Sequence, residues 1–366
     1  MGRRSRVAAA AGAMLSAMAL VSGCGPLSSV VDDANGYGAP GAGPVTVAFG
    51  GDVHFEGQIR ARLDSDPATA LGPIAETLRA ADVAMVNLET AITTGGTPAP
   101  KQFVFRAPPT AFTALKAAGV DVATMANNHG MDYGETGLRD SLAAAKQAGF
   151  PVVGIGNNAA EAYKPWETVV RGTRIGVIGA TQVLDDHLIE AWTATDTKPG
   201  LASAKDAQRL VQEVKANRHR YDVLIVNVHW GRELEQCATD AQRQLADRLV
   251  TAGADAVVGG HAHVLQAGGF LKGKYVHYGL GNFVFYNSGP VTGQTGVLTL
   301  TFDPPAGRPR LQGAKVTKAV WTPAFITGGI PQPLSGTEAQ QAIARWEGLR
   351  SCADVTASPS PGTPGP

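Results

Sequence analysis

The chain has few aromatic and few charged residues, 6% and 17% of its 366 positions. Neither sign of charge is in excess, since Lys plus Arg and Asp plus Glu both number 31. That balance lends no support to a nucleic-acid groove or an acidic tail, so no nucleic acid is expected as a partner and any anionic ligand must be held by local groups. Cysteine is scarce: Cys24, Cys237 and Cys352 lack zinc-finger spacing, which excludes a thiolate metal module. No internal repeat is visible, and the apolar run near the amino terminus is shorter than the roughly 20 residues a membrane span needs. Against these absences stands a 44% hydrophobic content, ample for a core, in a length that suits one large or two modest domains.

Residues 1–24 read as a targeting segment. Arg3, Arg4 and Arg6 open it, VAAAAGAMLSAMALV follows, and Val21-Ser22-Gly23-Cys24 is similar to a bacterial lipobox. Cleavage before Cys24 and lipidation there imply an extracytoplasmic protein anchored to the outer face of the cell membrane. An ordinary secretory signal and a retained anchor are the alternatives. Residues 25–44, rich in Gly, Pro, Ser and Ala, read as a flexible tether.

From Val45 onward, apolar runs alternate with Ala-rich helical patterns at Ala70 to Ala81, Thr110 to Ala118, Gly134 to Ala148, Ala202 to Arg218 and Thr239 to Ala252. Such alternation predicts an α/β fold. After His263 the texture changes, and Tyr275 to Tyr278, Gly296 to Phe302 and Ala314 to Trp321 read as strands without helices between them, expected to form a second sheet of their own. The domain is expected over 45–325, a helical extension over 326–353 and a disordered tail over 354–366. With Cys24 lipidated, Cys237 and Cys352 are expected to pair outside the cytoplasm and pin the carboxyl-terminal segment; two buried free thiols are the alternative.

The chemistry gathers where the apolar runs stop. VTVAFGGDVH delivers Asp52 and His54; VAMVN precedes Glu89, DVATMA precedes Asn127, Asn128 and His129, DVLIVNV precedes His229, and DAVVGG precedes His261 and His263. Ligands of open α/β sheets bind beyond the carboxyl ends of the strands. A metal centre needs imidazoles and carboxylates that only strands distant in sequence can bring together. Asp52, His54, Glu89, Asn128, His229, His261 and His263 are seven candidate ligands, with Asn127 a second amide beside Asn128, and His129 left as a free imidazole. Two ions sharing a carboxylate require a set of this size, and Glu89 is long enough to bridge them. Five of the eight histidines lie at such strand ends, whereas His187, His219 and His277 read as surface or core residues.

The segments GDVH, NLE, NNH, HWG and GGHAHVLQ, followed by YGLGNFVF, resemble the CapA family of bacterial capsule and poly-γ-glutamate synthesis proteins over roughly Val45 to Phe302. KQFVFRAPP and MANNHGMDYGETGL fit it as well. The resemblance implies a metallophosphatase-like four-layer α/β/β/α sandwich of two sheets flanked by helices. It implies one divalent ion on Asp52, His54, Glu89 and His263, and another on Glu89, Asn128, His229 and His261, with His129 as proton donor or transition-state stabiliser. Where other metallophosphoesterases carry GD-x-x-D, the matching strand here ends in Asn87-Leu88-Glu89, the form CapA-like proteins share.

The expected ligands are all nitrogen or oxygen, which suits Mn, Fe or Zn. Lys101, Arg106 and Arg232 are candidate contacts to an anionic substrate, and Asn282 of GLGNF is expected to shape the crevice through its backbone. The functional expectation is a lipoprotein of capsule, poly-γ-glutamate or related anionic-polymer synthesis with a two-metal phosphoesterase-type hydrolase site. The alternative is a non-catalytic accessory protein that binds the polymer or the export machinery, its metal structural or vestigial.

Overall fold

The computed structural model describes residues 42–359 apart from 287, 288, 306 and 308. The expected signal segment, Cys24 and most of the expected tether lie outside the described residues. Among the described residues no helix is long and apolar enough to cross a membrane.

Two sheets carry the fold. The first runs, edge to edge, through Ile330–Pro333, Lys315–Thr327, Gln294–Asp303, Val45–Val53, Val83–Leu88, Val122–Thr124 and Val152–Val153. Asn282–Val284 joins it alongside the end of Val45–Val53. The second runs through Gly268–Leu271, Lys274–His277, Ala256–Gly260, Val223–His229, Thr173–Thr181 and Trp166–Val170.

Side chains alternate across each strand, so every strand feeds two cores. Val47, Phe49 and Met85 of the first sheet pack against Val177, Ile225 and Val258 of the second. On its outer face the first sheet gives Ala48, Val86 and Leu88 to a core shared with helices Gln58–Ser65, Thr110–Ala117 and Gly134–Ala148. The second gives Leu224, Val226 and Val257 to helices Ala207–Asn217 and Asp240–Ala252. The result is the four-layer α/β/β/α sandwich.

The strands after His263 do not form a separate sheet. Lys274–His277 pairs in parallel with Ala256–Gly260 in the second sheet, whereas Gln294–Asp303 lies antiparallel to Val45–Val53 in the first. Period-two patterning assigns faces to a strand and leaves its partner open, so these runs could not be sorted between two sheets in advance. The first sheet also continues past residue 325, through the Ile330–Pro333 strand. Helix Gly336–Gly348 sets Trp346 into the inter-sheet core. Val355 is buried and Thr356 pairs with Phe270, so order extends beyond the expected start of the tail at 354. The expected Ala202–Arg218 helix begins at Ala207, where Asp206 accepts from the backbone amide of Gln208 and caps it.

Candidate metal centre

The Val45–Val53 strand changes parity at its glycines. Val45, Val47 and Phe49 face the second sheet, yet Val53 faces the helices, because the pairing register with Val83–Leu88 slips between Phe49 and Asp52. An inserted residue in a strand reverses which way later side chains point. Asp52 therefore turns toward the second sheet, where the Gly260 Cα passes so close that an added Cβ would lie 2.6 Å from Asp52 Oδ1. Gly51 has a similar constraint: a Cβ there would sit 2.0 Å from the Gly281 carbonyl. Asn87, in register with Asp52, turns the same way and touches His229, which ends its own strand opposite Gly260. The site is thus the carboxyl-end continuation of the inter-sheet core.

Two ligand trios meet there. Glu89, His229 and His261 have donor atoms within 4.8 Å of one another, as do Asp52, Glu89 and His263. Glu89 is common to both. Asn128 joins the first trio, its Oδ1 2.8 Å from His229 Nε2, which in turn lies 3.4 Å from Glu89 Oε1. Atoms bound to one ion at about 2.0 to 2.2 Å stand roughly this far apart.

The electrostatics point the same way. Glu89 is fully buried, and neither of its carboxylate oxygens has a hydrogen-bond partner. Burial, and then the neighbouring Asp52, push its carboxyl well above the usual range. Burial holds His261 well below the ordinary imidazole value and His229 down at about 3. Neutral imidazoles such as His229 and His261 beside an unsatisfied carboxyl suit a divalent cation and are otherwise avoided in a core, whereas Glu89 and Asp52 raise His263 against the effect of burial. The residues present fit the implied metals.

A layer of amides and charges holds these ligands. Asn87 Nδ2 donates to Asp52 Oδ1 at 2.8 Å and lies 3.1 Å from His229 Nδ1. Asn127 donates to Asn87 Oδ1 and to the Leu88 carbonyl, both at 2.9 Å, so Asn127 is structural and Asn128 stands by the trio. Asn282 acts through its side chain, with Oδ1 2.8 Å from His263 Nδ1, and not through backbone geometry alone. His261 and His263 both adopt positive φ, 92° and 55°, a conformation that costs an L residue energy and recurs at functional sites.

His129 places Nε2 4.0 Å from Glu89 Oε1 and Nδ1 2.5 Å from Asp132 Oδ2. Asp132 also accepts from the Phe105 amide at 2.6 Å and pairs with Lys101 at 2.9 Å. Lys101 donates to the Asn128 carbonyl as well, so this cation ties together residues on either side of His129. Burial, against the pull of Lys101, pushes the Asp132 carboxyl up to about 7.

The other expected residues are placed differently. His54 is fully buried but falls in neither trio; its Nδ1 lies 3.0 Å from the Glu56 amide and its Nε2 3.3 Å from the Tyr286 amide. Its ring stacks on Phe105, whose other face stacks on His129. Arg106 lies over the Tyr133 ring, and exposed Arg232 pairs with Glu235 at 2.6 Å. Cys237 and Cys352 form a disulfide.

Asn87 and Asp132 were not singled out in the sequence. The signal for Asp132 was its position three residues after His129; for Asn87 it was strand parity with Glu89.

The family profile described as Bacterial capsule synthesis protein PGA_cap matches residues 46–287. Capsule biosynthesis protein CapA of Bacillus anthracis is 38% identical over 47% of this chain and 42% of its own length. PGA biosynthesis protein CapA of Bacillus subtilis is 30% identical over 66% of this chain and 63% of its own. The matched regions thus span only part of each relative. Among solved structures, a novel phosphatase from Mycoplasma pneumoniae overlays with a TM-score of 0.46 at 15% identity, covering 81% of this chain and 96% of that one. The profile takes in every strand end that feeds the two trios, and the chain belongs to the bacterial capsule synthesis protein family PGA_cap.

Proposed function

We propose that the chain is a cell-envelope lipoprotein of capsule, poly-γ-glutamate or related anionic-polymer synthesis, and that its centre hydrolyses a phosphoester or an amide-linked polymer with two divalent ions. One observation carries the reading: Glu89 is buried with both oxygens unpartnered while belonging to both ligand trios. When bound, the ions would supply Lewis-acid charge at the scissile oxygen and lower the pKa of water.

The chain's own residues supply the rest. Asp52, Asn128 and the histidines fix the geometry from both sheets, so little reorganisation accompanies the reaction. His129, its Nδ1 against Asp132, presents Nε2 toward Glu89 and is placed to give a proton to the leaving group. Lys101 is held by Asp132 and Arg106 lies over the Tyr133 ring, so neither cation is left to a substrate's negative charge alone.

The test is a metal analysis and a hydrolysis screen on phosphodiester and γ-glutamyl substrates, comparing the parent with Glu89→Gln. Two bound ions and turnover in the parent, both lost in the variant, are expected. A parent that holds no metal and cleaves neither substrate sinks the reading. Rescue of a polymer-deficient deletion strain by Glu89→Gln would point to an accessory role instead. Lipid attachment is checked separately, by mass spectrometry for acylated Cys24 and its loss in Cys24→Ala.

A further inference from the structure

A third cluster shares His261 and His263 with the two trios and adds Glu233, which belongs to neither. The carboxylate of Glu233 has an oxygen within 4.8 Å of ligand nitrogens of both His261 and His263. Glu233 is exposed, whereas His261 is only 4% exposed. The carboxylate therefore stands on the solvent side of rings whose inner side meets Glu89, His229 and Asp52.

The two histidines differ in what holds them. His263 has Asn282 at its Nδ1. Among the described residues the His261 ring has no hydrogen-bond partner, and its Nδ1 is buried and unsatisfied. An imidazole that binds a metal through one nitrogen carries a proton on the other, and that proton is almost always given to a carboxylate, a carbonyl or water.

The loop bearing Glu233 is tied down at three points. The Leu234 amide donates to the Ala262 carbonyl at 2.8 Å, between the two histidines. Gln266 Nε2 donates to the Glu235 carbonyl at 2.8 Å, and Cys237 is bonded to Cys352. Leu234 is held at φ 62°, beside the positive-φ pair His261 and His263, so backbone strain is maintained on both sides of the Leu234–Ala262 bond.

We propose that Glu233 is a positioning residue of the metal centre: with an ion on one ring nitrogen of His261, its nearby carboxylate would accept the proton carried by the other and orient that ligand from the solvent side. The inference rests on the two-metal reading and adds a residue to it. It makes Glu233 for His261 what Asn282 is for His263.

The test is calorimetric titration of the purified protein with Mn²⁺ after chelation and dialysis, in the parent, Glu233→Ala, Glu233→Gln and Glu235→Ala. Glu233→Ala is expected to weaken one of the two binding events about 10- to 100-fold. The melting temperature of the chelated protein should stay unchanged, because Glu233 is exposed. Glu233→Gln, which keeps an acceptor oxygen, should recover most of the affinity, and Glu235→Ala should match the parent. Binding by Glu233→Ala within threefold of the parent, or equal losses in the Ala and Gln variants, would overturn the assignment. A parent that binds no Mn²⁺ would overturn the two-metal reading and this inference with it, an outcome distinct from normal parental binding with an indifferent Glu233.

Discussion

His129 Nδ1 and Asp132 Oδ2 lie 2.5 Å apart, a separation that accommodates one shared proton. Burial pushes the imidazole well down and the carboxyl up to about 7, so each alone resists charge. Asp132→Asn keeps the size and an acceptor oxygen but removes the carboxylate's charge and its capacity to take the proton. It is expected to lower kcat about 100-fold while metal content stays at the parental level. Kinetics beside elemental analysis checks this; a fall in metal content would reassign Asp132 to folding of the site.

Asn282 Oδ1 lies 2.8 Å from His263 Nδ1 and orients that ring. Asn282→Ala should therefore weaken the ion held by Asp52, Glu89 and His263 about 10- to 100-fold and spare the other. Metal titration would show one shifted and one unshifted binding event. Two equally shifted events would mean that Asn282 supports the crevice as a whole.

His277 is a buried imidazole in the inter-sheet core that accepts from Trp346 Nε1 at 3.1 Å, beside the mutually stacked Trp321 and Trp346 rings. Burial, with Arg350 adding to it, depresses its pKa from 6.5 to about 3. Between those values the unfolded chain takes up a proton that the folded chain refuses. Stability attributable to this group is therefore intact above about pH 6.5 and lost as pH falls toward 3. His277→Phe should flatten that loss by about 2 kcal/mol at pH 4.5 relative to pH 7. Urea unfolding of both chains at the two pH values measures it, and parallel losses would rule His277 out.

The Cys237–Cys352 disulfide closes a separation of 115 residues and fastens the last helix to the loop after His229. Reduction, or Cys237→Ala with Cys352→Ala, should cost about 2 to 5 kcal/mol. Denaturant melts with and without reductant report this directly. An unchanged midpoint would show that the carboxyl-terminal segment holds without the bond.

The site was legible in outline because its ligands announce themselves at the ends of apolar runs. Asp52, Glu89, His229, His261 and His263 come together in the two trios, and Asn128 lies beside His229. His54 lies outside both trios. Asp-x-His presents two ligand types without revealing that one ring is enclosed by Phe105 and two backbone amides. Lys101 read as a substrate contact because a lone cation in a loop carries no mark of the carboxylate it will meet, here Asp132.

The sequence by itself determined the alternating α/β texture, the family and the residue types of the centre, since periodicity and ordered motifs are local properties of a chain. Only the tertiary structure decided which sheet each late strand joins and which side chains converge. Both depend on pairing partners that period-two patterning leaves open. The slip at Gly50-Gly51 is the clearest case, for it turns Asp52 from the helical layer toward the second sheet and so brings carboxylates and imidazoles of two sheets into one crevice.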